Sequence, residues 1–343
     1  MKPENALQVR KISEQDINNV DYNVVLANNL IMANHDLTLN ENKLILAAIS
    51  QISLYDKNIM EFEFSVSQIC QLCNFPKNHI GRTLSLARKN LLSKTFFIEH
   101  TVEKDGRIEP IISECSWVSR ISFNSNRWII KLSENLTPFI IAIKENFTTK
   151  KLNQIELYNN IYALRFDLIF TMEFNRQTSK MTQEKTLNHQ IRKNISVDKL
   201  REMFFCSTKY VENRDFMKYI IVPAIKEIND IGFYNVVMEK TTDVKNKITD
   251  ITFLVSLGER NEKKLKIQSM NAKIERILLS SDFSKTEIIK ILKNYEEKEI
   301  VDVLKTIKEK RKNNKIINDK EEINKLLNKI TKEKELDALY NSL

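Results

Sequence analysis

Residues 196–230, SVDKLREMFFCSTKYVENRDFMKYIIVPAIKEIND, hold two helical patterns with a polar turn between them. The first is short and begins at SVDKL, where Asp198 offers a side-chain oxygen of the kind that caps a helix N-terminus. The second is longer: Phe216, Ile220, Ala224 and Ile228 recur at helical spacing and define one inner face. Stretches 233–240 and 248–257 are strand-like, which predicts a β-hairpin. Short helix, turn, longer helix and hairpin together make the plan of a winged helix-turn-helix.

Toward the N-terminus the same order occurs once before. SVSQI at 65–69 resembles SVDKL at an offset of 131 residues, with Ser67 as the expected cap. A helix from about residue 78 carries Ile80, Leu84, Ala87 and Leu91 on one face. The period then changes. Stretches 96–102, the Asp105-Gly106 turn, 107–123, a turn at 124–126 and 128–132 read as an antiparallel unit. Ahead of both, Thr38 and Glu41 form a capping box before Leu44, Ala47, Ala48 and Ile52. Between the copies, 154–170 reads as helix and the polar stretch 175–194 as a loop.

The expected fold class is therefore α+β and helix-rich: two tandem winged-helix domains, 20–146 and 147–260, followed by a charged helical C-terminal extension, 261–343. In the extension Ser284 and Glu287 make another capping box. Three apolar stripes follow it: Ile288, Ile291, Leu292 and Tyr295; Ile300, Val303, Leu304 and Ile307; Ile323, Leu326, Leu327 and Ile330. Such stripes need a surface to pack on.

Composition excludes several function classes. The 343 residues include 4 glycines, none spaced for a dinucleotide turn or a phosphate-cradling loop. The histidines, His35, His79, His100 and His189, show no metal-binding spacing, including the H-x-H of a metal-dependent nicking enzyme. Cys70 and Cys73 form one C-x-x-C without a second pair, and Cys73 shares the apolar face of Ile69 and Leu72. No catalytic constellation, metal site or cofactor is expected. The opening MKPENALQVRKISEQD lacks a signal-peptide core, and the apolar run 139–143 is, like the others in the chain, far too short to span a membrane. A cytoplasmic protein is expected.

The net charge of +9 fits nucleic acid, an anionic membrane surface or no particular partner. The sharper signal is the outer face of the second long helix. Asn213, Arg214 and Lys218 fall there, with Lys209 and Tyr210 just before it. In a helix-turn-helix that N-terminal part enters the major groove, where Arg can read guanine, Asn adenine, and Lys phosphate. An ordinary solvated helix face would carry similar residues. The first copy exposes Arg82, Ser85 and Lys89, and the hairpin stretch 240–247 could touch phosphate through Lys245 and Lys247 or be a solvated turn.

The chain resembles the plasmid replication initiators of the Rep type 3 superfamily, iteron-binding proteins with two winged helices. The resemblance runs over roughly 20–257 in ordered blocks: LANNLIMANHDLTLNENKLILAAISQI, RWIIKL, KENFTTKKL, YALRFDLIF, SVDKLREMF and RDFMKYIIVPAIKEIN. Asp167 stands where members commonly have Tyr. The resemblance implies binding of direct repeats at a plasmid origin as double-stranded DNA, opening of adjacent AT-rich DNA, and recruitment of a host initiator and replicative helicase. It also implies a homodimer that represses its own operator, and no enzymatic activity. Lys209, Tyr210, Asn213, Arg214 and Lys218 would read the DNA, with backbone contacts from Arg82 and Lys89. A transcriptional repressor without a replication role would share this chemistry. A rolling-circle nicking enzyme would lack its H-x-H, and a helical scaffold would leave the charge unexplained.

Overall fold

The computed structural model describes residues 9–12, 22–53, 56–58, 61–104, 107–124, 126–244, 247–312 and 318–340. The chain forms two compact units, Met1–Glu259 and Arg260–Leu343.

The first unit opens with β1 (Val9–Lys11), β2 (Asn23–Ala27), α1 (Asn28–Ile31), β3 (Asn34–His35) and α2 (Leu39–Ile49). The capping box ahead of α2 is formed as the sequence predicts, with the Thr38 N–H donating to Glu41 at 2.8 Å. β4 (Glu61–Ser65) runs straight into α3 (Val66–Cys73), and α4 (Ile80–Leu91) follows. β5 (Thr95–Lys104) and β6 (Arg107–Ser116) form a hairpin against β3; Asp105 and Gly106 lie outside the described residues. β7 (Val118–Phe123) and β8 (Arg127–Leu132) return to β4, giving the order β1-β4-β8-β7. The stretch 107–123 is thus two strands in two sheets. Trp117, buried between them, is where the chain changes sheet.

α5 (Thr137–Ile140), β9 (Phe147–Lys151), α6 (Leu152–Ile155) and α7 (Ile161–Thr178) lead to the second copy, with β9 antiparallel to β2. The stretch 175–194 is not a loop. α7 extends to Thr178, then come α8 (Gln183–Leu187) and β10 (Gln190–Ser196). β10 is a sheet-edge strand that turns only Ile191 and Ile195 fully inward, so its sequence looks polar.

α9 (Val197–Met203) precedes a continuous helix over 213–231, made of α10 (Asn213–Phe216), a π-helical turn (Met217–Ile221) and α11 (Val222–Ile231). Pro223 has no N–H to donate, and the wide turn sits immediately upstream of it. The wider turn also helps a strict four-residue spacing, Phe216, Ile220, Ala224 and Ile228, stay buried. Gly232 ends the helix at φ 79°, and β11 (Tyr234–Thr242) and β12 (Ile248–Leu257) form the hairpin. Gly258 passes so near that a Cβ there would lie 2.5 Å from the Gly232 carbonyl oxygen.

The two copies share one topology. In β4-β8-β7 and in β10-β12-β11, the strand before the short helix pairs antiparallel with the second hairpin strand. Ser65 and Ser196 end those strands and cap the helices, accepting from the N–H of Gln68 at 3.1 Å and of Lys199 at 3.2 Å. These caps correct the expected Ser67 and Asp198: the extended backbone of the strand's last residue already has cap geometry. The offset of 131 persists through the turn. The Phe75 N–H donates to the Cys70 carbonyl at 3.0 Å, and the Cys206 N–H to that of Arg201 at 2.8 Å. Asn74 and Phe205 before them are left-handed, at φ 53° and 50°.

The second unit is helical: α12 (Glu259–Leu279), α13 (Lys285–Asn294), α14 (Glu297–Lys312) and α15 (Asp319–Tyr340). Its stripes pack on one another. Ile274, Leu278 and Phe283 close with Ile288, Ile291, Ile300, Val303, Ile307, Ile323 and Leu327 into one core, flanked by Leu292, Tyr295, Leu304, Leu326 and Ile330. Lys320–Glu287 at 3.0 Å and Lys334–Glu299 at 2.8 Å lace its surface.

Candidate nucleic-acid interface

The second helix-turn-helix is organised by Arg201. Its position four residues after Val197 puts it on the buried side of α9, over the Phe216 ring at 4.6 Å. The guanidinium donates to the carbonyls of Cys206 (3.3 Å), Lys209 (3.1 Å), Tyr210 (2.6 Å) and Val211 (3.1 Å), and to Asn213 Oδ1 (3.0 Å). A planar fork of five donors suits this cage of acceptors; a lysine would not.

The clamp decides where the expected readers sit. Lys209 and Tyr210 are exposed on the turn, Tyr210 at φ 54°. Arg214 and Lys218 are exposed on the first turns of the long helix, and neither meets a carboxylate among the described residues. Asn213 behaves differently from the base-reading expectation. Its Oδ1 accepts from Arg201, and its Nδ2 donates to the Ile248 carbonyl at 2.7 Å, tying the helix start to β12. The amide oxygen and one of its two N–H groups are thereby engaged inside the protein.

Sequence reasoning also missed Tyr219. It is half exposed, stacks on Tyr210 with centroids 5.6 Å apart, and lies under the Lys218 ammonium at 5.0 Å. The pair makes an aromatic ledge beside Arg214 and Lys218. At the base of the long helix, the Glu227 carboxylate accepts the Asn159 N–H at 2.6 Å, fixing the helix against the start of α7. Burial pushes that carboxyl's pKa up.

The remaining expected contacts are more dispersed. Lys247 is exposed at the hairpin tip, where its N–H donates to Asp243 Oδ1 at 2.8 Å; Lys245 lies outside the described residues. In the first copy Arg82, Ser85 and Lys89 are exposed along α4, while Arg88 stacks on Phe123 at 4.2 Å. Cys70 and Cys73 are buried, and burial raises both thiol pKa values, as core side chains require. Among the described residues no helix is long and apolar enough to cross a membrane.

The known relatives agree with this architecture. A family model described as initiator replication protein, WH1, matches residues 23–169, and one described as initiator Rep protein, WH2, matches 196–255. A replication initiation protein of Escherichia coli is 23% identical over 256 residues, 73% of this chain and 75% of that protein. The crystal structure of the Pi initiator protein in complex with iteron DNA superposes with a TM-score of 0.51 at 16% identity, covering 70% of this chain and 99% of that one. With both of its winged helices accounted for, the chain belongs to the Rep type 3 family of replication initiator proteins.

Proposed function

We propose that this protein initiates plasmid replication by binding directly repeated double-stranded DNA at its origin, and that the second helix-turn-helix is the main reader. The observation that carries the reading is the long helix at 213–231. It sits on a turn caged by a buried arginine and presents Arg214 and Lys218, which meet no carboxylate among the described residues, beside the Tyr210–Tyr219 ledge. Family membership and the iteron complex of the Pi initiator support it. Arg214 reads base edges, Lys209, Tyr210 and Lys218 hold the flanking backbone, and Lys245 and Lys247 reach phosphate from the hairpin. Arg82 and Lys89 add backbone contacts from the first winged helix, within domains bounded at 20–146 and 147–260. Like-folded readers in one chain fit a long asymmetric site across successive major grooves, about 34–36 Å apart.

In this reading the protein acts by binding rather than by bond-breaking chemistry, in the cytoplasm where plasmid DNA resides. It dimerises to repress its own operator and hands opened DNA to a host initiator and helicase. Footprinting over the DNA flanking the gene tests the first step, with protection expected over direct repeats. Supporting a non-replicating vector tests the second: failure of the intact gene and flanking DNA to maintain it sinks the initiator role. A nicked, protein-linked product from supercoiled origin DNA with divalent metal would make it an enzyme instead.

A further inference from the structure

Arg165 lies on α7, between the winged helices, and is 3% exposed. It meets no carboxylate among the described residues. Instead it donates to the carbonyl of Ala33 at 2.6 Å and of His35 at 3.3 Å, both from the first winged helix. It also donates to the carbonyl of Met203, the last residue of α9, and lies over the Phe204 ring at 5.1 Å. A second contact crosses the same junction, Phe97 of β5 against Phe205 with centroids 5.9 Å apart. Desolvation pushes the Arg165 pKa down to about 9, which still leaves it charged at neutral pH.

A buried charge satisfied only by carbonyls is tolerated where geometry is fixed, because each acceptor left behind would be stranded without solvent. Arg165 therefore holds the start of the first winged helix to the end of α9. Two residues upstream of Met203, Arg201 carries that position on to the turn and the reading helix. We propose that Arg165 is a positioning residue that sets the separation at which the two winged helices engage DNA, so that the chain accepts its two half-contacts at one spacing only. This rests on the DNA-binding reading above.

The test uses the full chain and the duplex defined by its own footprint, cut into half-sites or lengthened by one base pair between the two protected blocks. Rigidly joined modules gain avidity only when both can engage together, so the wild type should lose about tenfold or more on the lengthened duplex. Arg165→Met should bind the isolated second half-site like wild type, lose about tenfold on the intact site, and show little further loss on the lengthened one. Phe205→Ser, at a half-exposed contact, should broaden the spacing tolerance, and thermal melting checks that both variants are folded. A wild-type spacing penalty retained in Arg165→Met overturns the proposal, as does loss of half-site binding or a wild type indifferent to spacing. A wild type that protects no DNA sinks the DNA-binding reading itself, a separate failure.

Discussion

Lys150 Nζ lies 2.6 Å from Asp167 Oδ2, with the side chains 5% and 0% exposed. The ammonium also faces the Phe233 and Tyr234 rings at 4.7 and 5.6 Å and sits 3.4 Å from Thr171 Oγ1. Asp167, the departure from the family pattern, thus has a dedicated counterion on β9. Asp167→Asn should lower stability by about 3–5 kcal/mol in urea melts, because it leaves a buried ammonium uncompensated. Lys150→Met together with Asp167→Leu should cost less than the two single changes added.

Arg201 makes its own prediction. Arg201→Lys keeps the charge but cannot fork across the turn, and stranded carbonyls should cost about 2–3 kcal/mol or more by equilibrium unfolding. Cognate DNA affinity should fall further than this stability loss explains, since Lys209, Tyr210 and Arg214 all depend on the turn.

The reading helix and the hairpin should differ in the kind of loss. Arg214→Ala should weaken cognate binding by about 1–3 kcal/mol and relax one base preference. Lys247→Ala should weaken cognate and random duplexes alike and reduce the salt slope by about 1. Equal losses on every sequence for Arg214→Ala would move that residue to the phosphate class.

His35 predicts an acid limb. Its pKa is pushed well below the ordinary 6.5, first by burial and then by the nearby Arg165 and Lys94 charges, and its Nδ1 accepts the Leu37 N–H at 3.3 Å. The unfolded chain takes up the proton before the folded one, so the contribution to stability is complete above 6.5 and is lost as pH falls below it. Urea midpoints should be flat above neutrality and decline toward the acid side. His35→Gln should remove that decline between pH 6.5 and the onset of carboxylate titration.

Much of this was legible in the sequence because it rests on apolar spacing. The inner face at Phe216, Ile220, Ala224 and Ile228, the offset between Ser65 and Ser196, and the three C-terminal stripes all appear where periodicity puts them. Misreadings arose where polarity misleads. β10 hides as a loop because an edge strand needs few apolar residues. The sequence singles out neither Arg165 nor Arg201, since nothing in spacing announces that backbone carbonyls will surround them. The engagement of Asn213 is equally silent in sequence: a free amide and one tied to Ile248 are identical as letters.

The closed core of the C-terminal unit has a consequence for whatever that unit meets. Its apolar stripes are consumed internally, leaving mainly charged residues on the outside together with exposed Ile267, Ile277, Leu279, Ile289 and Leu336. Recognition through such a skin is governed by Coulomb forces in water, which act over about a Debye length of 8–10 Å and fade as salt is added. Encounters of this unit should therefore be fast, short-lived and tuned by ionic strength, a temporary handle rather than a permanent joint.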